Sequence, residues 1–271
     1  WLLRDAGKDE RLGLPGPAPK LGDKPGTRYY EIPIAIQDRS FDANGSLFYP
    51  GDRAFFEGLE PSQLQIDYAP DTDVAPIWNP EAFFNTMVVN GRTWPRLNVE
   101  PRRYRFRLLN GCDARFLNLS LWIVDANGNR LSELPFYVFA NESGLLAQVV
   151  KVTTGSFEKL PGNGRAGTPT PARHPDAALL LGNAERVDVI VDFSGLAPGT
   201  VVRMFNTGPD SPFGGFPISP DDLADPGTTG QVMQFVVGTL LGPDRSKPPQ
   251  QLKLPAIAPL LPTPTRPAHA R

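Results

Sequence analysis

The sequence predicts an all-β domain, a sandwich or barrel of short antiparallel strands joined by long proline-rich loops. Three observations carry that prediction. Apolar residues recur at every second position in Tyr104–Leu108, Leu117–Leu121 and Val187–Val189. That period places one set of side chains on a buried face and the other toward water. Asn-Gly pairs at 44–45, 90–91, 110–111 and 127–128 punctuate the runs, and both residues tolerate the positive φ of tight hairpins. Finally, 31 prolines in 271 residues are about twice the usual share. Proline lacks the N–H that a helix interior needs and clashes with the preceding turn, so a helical bundle is excluded. The prolines lie between apolar, β-branched runs, which argues against general disorder.

In chain order, Glu31–Gln37 repeats isoleucine at alternate positions, and Thr86–Val89 is a short apolar run ending at Asn90-Gly91. Tyr104–Leu108 and Leu117–Leu121 are the two clearest alternating strands. Phe136–Ala140 and Ala147–Val152 are rich in aromatic and β-branched residues, which favour strands. Ala178–Leu181, Val187–Val189, Val201–Phe205 and Val232–Val237 complete the set. Pro50–Pro80, rich in Pro, Asp and Glu, reads as an ordered loop over the sandwich. Eight prolines between 243 and 267 predict an extended, semi-rigid connector. Trp1–Asp5 reads as the last strand of a preceding domain, so the expectation is a piece of a longer chain. No internal repeat of fixed period is present.

Charges nearly cancel, 27 Lys+Arg against 29 Asp+Glu, which argues against a nucleic-acid groove or a polybasic membrane patch. No apolar run approaches the ~20 residues of a membrane helix. Cys112 is the single cysteine, so no intramolecular disulfide can form. This leaves the compartment open.

Several segments spell motifs without their context. Gly162–Gly167 has the pattern G-x-G-x-x-G. A dinucleotide site needs that pattern to open a helix, and Thr168-Pro169-Thr170-Pro171 follows instead, so a loop is expected. Asp125–Asn129 faintly resembles a calcium loop, but Phe136 stands where the bidentate Glu is required; a hairpin turn is expected. The chain has two histidines, His174 and His269, both in Pro- or Ala-flanked loops. That is too few for the usual imidazole metal sites, and Cys112, with no histidine nearby, reads as a half-buried thiol beside a turn. No G-x-S-x-G elbow occurs. Asp221-Asp222 reads as solvated charge rather than a glycosidase pair. Asn44, Asn118 and Asn141 each begin an N-x-S triplet, a weak signal because the second lies inside a strand. The residues alone describe a β-sandwich with no catalytic constellation of its own.

Taken together, a set of segments resembles the middle cupredoxin domain of three-domain multicopper oxidases, on the branch of spore-coat laccases, bilirubin oxidases and phenoxazinone synthase. The set comprises Leu2–Asp5, Glu31–Arg39 (EIPIAIQDR), Asp42–Pro50 (DANGSLFYP) and Val88–Pro95 (VVNGRTWP). It continues with Val99–Asn110 (VEPRRYRFRLLN), Arg115–Leu121 (RFLNLSL), Glu185–Phe193 (ERVDVIVDF) and Thr229–Phe235 (TGQVMQF). The chain departs from the usual pattern at Gly182-Asn183-Ala184, where Pro-Gly is common, at Asn141–Gly144, and in a longer 155–175 loop.

The resemblance implies a cupredoxin-like Greek-key β-sandwich or barrel. Residues 1–28 would be the end of a preceding cupredoxin domain and linker, 29–240 the central domain, and 241–271 a Pro-rich connector to a third domain. It implies a parent enzyme that couples one-electron oxidation of a phenolic or pigment-like substrate to reduction of O2 to water, using four copper ions. The copper ligands lie in His-rich motifs of the outer domains. This segment, by the same resemblance, is non-catalytic, binds no copper, and spaces its flanking domains. The partners implied are those domains, a small aromatic substrate and O2, and a secreted, periplasmic or spore-coat location fits the family. Phe83, Phe84, Arg115, Phe116, Phe213 and Gly214, with neighbouring Phe216, are the expected substrate-pocket wall; ordinary loop packing is the competing reading. Two other readings of the whole chain are an independent β-sandwich binding or adhesion module and an inactive oxidase-like scaffold.

Overall fold

The structure, a computed structural model, describes residues 6–49, 60, 63, 81–153, 159–160, 170–171, 179–215, 218 and 220–255. The G-x-G-x-x-G loop, Pro50–Pro80 apart from two residues, both histidines, Phe216 and Trp1–Asp5 lie outside them. One helix, α1 (Ala6–Leu12), precedes the strands β1 (Glu31–Phe41), β2 (Leu47–Phe48), β3 (Thr86–Val89), β4 (Arg92–Thr93), β5 (Arg96–Val99) and β6 (Arg103–Asn110). Then follow β7 (Leu117–Val124), β8 (Arg130–Leu134), β9 (Phe136–Asn141), β10 (Gly144–Val152), β11 (Lys159–Leu160) and β12 (Thr170–Pro171). The last four are β13 (Leu179–Leu181), β14 (Arg186–Asp192), β15 (Val201–Asn206) and β16 (Gln231–Val237).

Two sheets make the sandwich. An eight-stranded sheet runs β10-β9-β14-β6-β1-β3-β4, with β2 on β1. A six-stranded sheet runs β13-β7-β15-β16-β5, with β8 on β7. Alternation sets the inner faces. Ile34, Ile36, Phe106, Leu108, Val189 and Val191 of the first sheet join Leu119, Leu121, Val202, Met204 and Phe235 of the second in one core. Phe106, Phe193 and Phe235 fill its centre with mutual ring contacts of 5.3–6.4 Å. Burial pushes the adjacent Tyr104 phenol up to about 12.

Three sequence expectations need correction. The sheets are mixed, not purely antiparallel. β1 runs parallel to β6, with Glu31 opposite Arg105, and β5 runs parallel to β16, with Arg96 opposite Gln234. Parallel neighbours require a crossover, and β3–β5 supply it between β1 and β6. Second, Asn110-Gly111 is not a hairpin turn. Asn110 ends β6, is fully buried, and its side chain braces the following loop. The other three pairs do turn the chain. Asn90 and Gly91, at φ 50° and 80°, form the two-residue β3–β4 hairpin that favours this pair. Third, the outer face of the eight-stranded sheet is not left to water. Phe139 and Ile190 are fully buried there beneath Leu14, Leu252 and Leu254.

That cover comes from both ends of the described chain. Asp9 of α1 reaches Arg105 Nη1 at 3.0 Å, and Lys247 N donates to Gly13 O at 2.8 Å. Arg103 holds the later segment: its guanidinium lies 3.0 Å from Asp244 and donates to Ser246 Oγ (2.9 Å) and Ser246 O (2.7 Å). Glu100 accepts from Tyr30 Oη (2.7 Å) and Leu241 N (3.0 Å). Up to Leu254, the proline-rich stretch is therefore fastened to the sandwich rather than free.

Candidate functional site

Of the expected wall residues, Phe83 and Phe84 meet the Arg115 guanidinium at one end of the sandwich, while Phe116 and Phe213 pair with each other. Arg115 follows the turn after β6 and has 1% of its side chain exposed. Its Nε donates to Asp38 Oδ2 at 3.2 Å, Nη2 to Phe84 O at 2.8 Å, and Nη1 to Pro209 O at 3.2 Å and to Asp210 Oδ1. One side chain thus joins β1, the segment entering β3, and the loop leaving β15.

Asp38 explains why a charge is buried here. It lies in β1 in register with Ile34 and Ile36, on the core side, and is fully buried. A carboxylate in that position needs a cation and hydrogen bonds. Oδ2 takes Arg115 Nε and, at 3.1 Å, the Phe84 amide. Oδ1 has no hydrogen-bond partner among the described residues. The backbone of Phe84 is therefore held at both ends, its N–H by Asp38 and its carbonyl by Arg115. Ala82 N donates to Asp113 Oδ2 at 3.2 Å, which fastens the same segment to the turn before Arg115. Asp210 is anchored in turn by Thr229 Oγ1 (2.7 Å) and Asp225 N (2.9 Å).

One ring approaches this centre directly, and two others form a pair. The Phe83 ring lies 5.5 Å from the Arg115 guanidinium carbon. Phe116 stacks on Phe213 at 4.8 Å with an interplanar angle of 17°. Phe83, Phe116 and Phe213 are half-buried, Gly214 is exposed, and Phe84 is buried rather than on the surface. Close approach builds the joint: a Cβ on Gly208 would overlap Phe116 O and stand 2.9 Å from Asn206 Oδ1. Asn110 tightens the turn itself. Its Nδ2 donates to Arg115 O (2.9 Å) and Leu181 O (3.0 Å), and its Oδ1 accepts from Cys112 N (3.0 Å).

Sequence reasoning missed Asp38, Asp210 and Asn110. Asp38 carried a readable signal, since it continues the every-second-residue series of Ile34 and Ile36. Nothing local marked Asp210, whose partner is 95 residues away.

A copper site does not fit the described residues. Among them no three His, Cys, Asp or Glu side chains gather as ligands. Cys112 is buried rather than half-buried, and burial pushes its thiol well above the ordinary range. Asp125 spends its carboxylate on the β7–β8 turn, with Oδ1 accepting from Asn127 N and Asn129 N at 2.8 Å.

No protein-family model matches the chain. It is 30% identical over 252 residues to "Multicopper oxidase LPR1 homolog 1" of Oryza sativa subsp. japonica, covering 93% of this chain and 32% of that protein. Over 241 residues it is 33% identical to "Multicopper oxidase LPR1 homolog 5" of the same rice, covering 87% and 28%. It is also 30% identical over 253 residues to a laccase of Bacillus subtilis, covering 93% and 36%. The chain spans about a third of the length of these relatives. The crystal structure of a McoA multicopper oxidase variant from Aquifex aeolicus shares the fold, with a TM-score of 0.53 at 24% identity, over 86% of this chain and 36% of that one. Nothing among these relatives favours an independent adhesion module.

Proposed function

The chain belongs to the multicopper oxidase family, and from that premise we propose that it is the non-catalytic middle cupredoxin domain of a longer oxidase. In that protein residues 29–240 form the domain, and the segments before and after them lead to flanking cupredoxin domains. The copper is held by those neighbours, four ions by family resemblance, and supplies the one-electron chemistry that couples oxidation of a phenolic donor to reduction of O2. This chain's own residues perform no redox step. They fix distance and contribute a wall.

The observation that carries this reading is the double fastening of the terminal segments. Asp9 and Gly13 on one side, and Asp244, Ser246 and Lys247 on the other, are bound to the same sheet and to each other. A spacer must pass its geometry to what it connects, since metal ligands need placement within about half an ångström. Part-buried ion pairs at both connectors do that where a loose linker would not. Burial works against the Arg105 charge, but Asp188, Glu31 and Asp9 outweigh it and keep the guanidinium protonated. The aromatic face of Phe83, Phe116 and Phe213 is the proposed wall toward the donor, suited to a planar aromatic molecule.

The test is to express the continuous reading frame around this segment and compare copper content and O2 uptake with a phenolic donor for the native protein and Arg103→Ala. The expected result is copper in the long protein, with slower O2 uptake once the Asp244 and Ser246 bonds are lost. A long protein that takes up no copper overturns the reading.

A further inference from the structure

We propose that Arg115 is a positioning residue that couples the two aromatic loops into one wall and so sets which donors fit; this rests on the reading of those loops as the donor-facing wall. The loops come from opposite sheets. Phe83-Phe84 leads into β3 of the eight-stranded sheet, and Pro209–Gly215 leaves β15 of the six-stranded sheet. Within the wall, Arg115 donates to both, through Phe84 O on one side and Pro209 O and Asp210 on the other. Its chain neighbour Phe116 carries the stack onto Phe213, so the same turn places a ring and the guanidinium that locks the opposing loop.

The geometry gives the residue little freedom. Arg115 uses Nε, Nη1 and Nη2 at once, in a planar fork that a lysine ammonium cannot reproduce. A lysine keeps the charge for Asp38 but cannot also span Phe84 O and Pro209 O. The consequence is selective. A donor that leans on both loops senses their relative position, whereas a small donor that needs neither does not. Asp210 gives an independent handle because it is a third exposed and meets Arg115 from the edge of the cluster.

The experiment uses the full-length, copper-loaded oxidase, with KM and kcat measured for a series of planar phenolic donors of increasing size and for ferrocyanide. For Arg115→Lys and Asp210→Asn, the KM of the largest donors is expected to rise about tenfold, in the range of a small misplacement of a positioning group. The visible copper absorption should stay at its native position and intensity, and the rise in KM should shrink steadily as the donor becomes smaller, ferrocyanide included. A uniform loss across all donors, or no change in either variant, overturns the proposal. If Arg115→Lys does not fold, Asp210→Asn decides alone. Phe213→Ala and Phe83→Ala separate the two layers. If they leave every KM unchanged, the wall reading itself fails; if they shift KM while the Arg115 and Asp210 variants do not, only the coupling fails.

Discussion

Replacing Arg115 with methionine is the perturbation whose cost the structure defines best. Methionine fills much of the arginine stem's volume but returns none of its four hydrogen bonds. Asp38 is then left fully buried, with no hydrogen-bond partner for Oδ1 among the described residues and the Phe84 amide still on Oδ2. At the observed 3.2 Å, an effective dielectric of about 20 gives an attraction of roughly 5 kcal/mol. Removing one partner of such a pair typically costs about 3–5 kcal/mol. For a domain of this size that lowers the melting temperature by roughly 10 °C. Arg115→Met/Asp38→Leu removes both charges and should recover at least about half of the loss, because two uncharged partners carry no desolvation penalty. Urea and thermal unfolding followed by circular dichroism of the native, single and double variants would measure this. A single variant within 1 kcal/mol of native (about 3 °C), or a double variant no more stable than the single, would refute the reasoning.

Three further outcomes follow from other parts of the molecule. Gly208→Ala should destabilise by about 1–3 kcal/mol, because its Cβ would overlap the Phe116 carbonyl and packed sites yield poorly; an unfolding midpoint equal to native would contradict the close approach. Acid should release the later terminal segment. Burial alone would raise the Asp244 carboxyl, but hydrogen bonds from Ser246 and the Arg103 amide, with the Arg103 charge, hold it below the ordinary range. A folded pKa below the unfolded one means that this stabilisation is complete above about pH 5 and fades as pH falls through the folded value. Hydrogen-exchange protection around 241–252, taken relative to the intrinsic rate at each pH, should fall below about pH 4 before that of the core, and Asp244→Asn should abolish that early step. Cys112 should react with a thiol reagent only after unfolding, since it is buried and its thiol is pushed up by that burial; rapid labelling of native protein would contradict its placement.

Much of the fold was legible because period two is written into single strands. Thr86–Val89 coincides with β3, and Tyr104–Leu108 lies inside β6. β5 and β8 escaped notice because Arg96–Val99 and Arg130–Leu134 are short and polar, held by neighbours more than by their own pattern. Parallel pairing could not be read at all, since the alternation of β1 and β6 is the same whichever way they run. The exposed-face rule failed at Arg105, Asp188 and Ile190 because residues 6–14 and 244–254 cover that face, a long-range fact. At the site, Arg115, Phe116 and Phe213 were named from sequence, yet the stack of Phe116 on Phe213 spans 97 positions and the link to Asp210 spans 95. The partners of these side chains are set by sheet topology, which no local pattern records.

The central claim is that this polypeptide shapes an oxidase whose metal is held by its neighbours. The most direct measurement is copper bound per chain, with the visible spectrum, for residues 1–271 and for the uninterrupted reading frame around them after loading with Cu(II). The account predicts colourless, metal-poor protein from the 271-residue chain and an intense thiolate-to-copper band from the longer one. Stoichiometric copper with that band in the short chain, or a longer protein that takes up none, would contradict it.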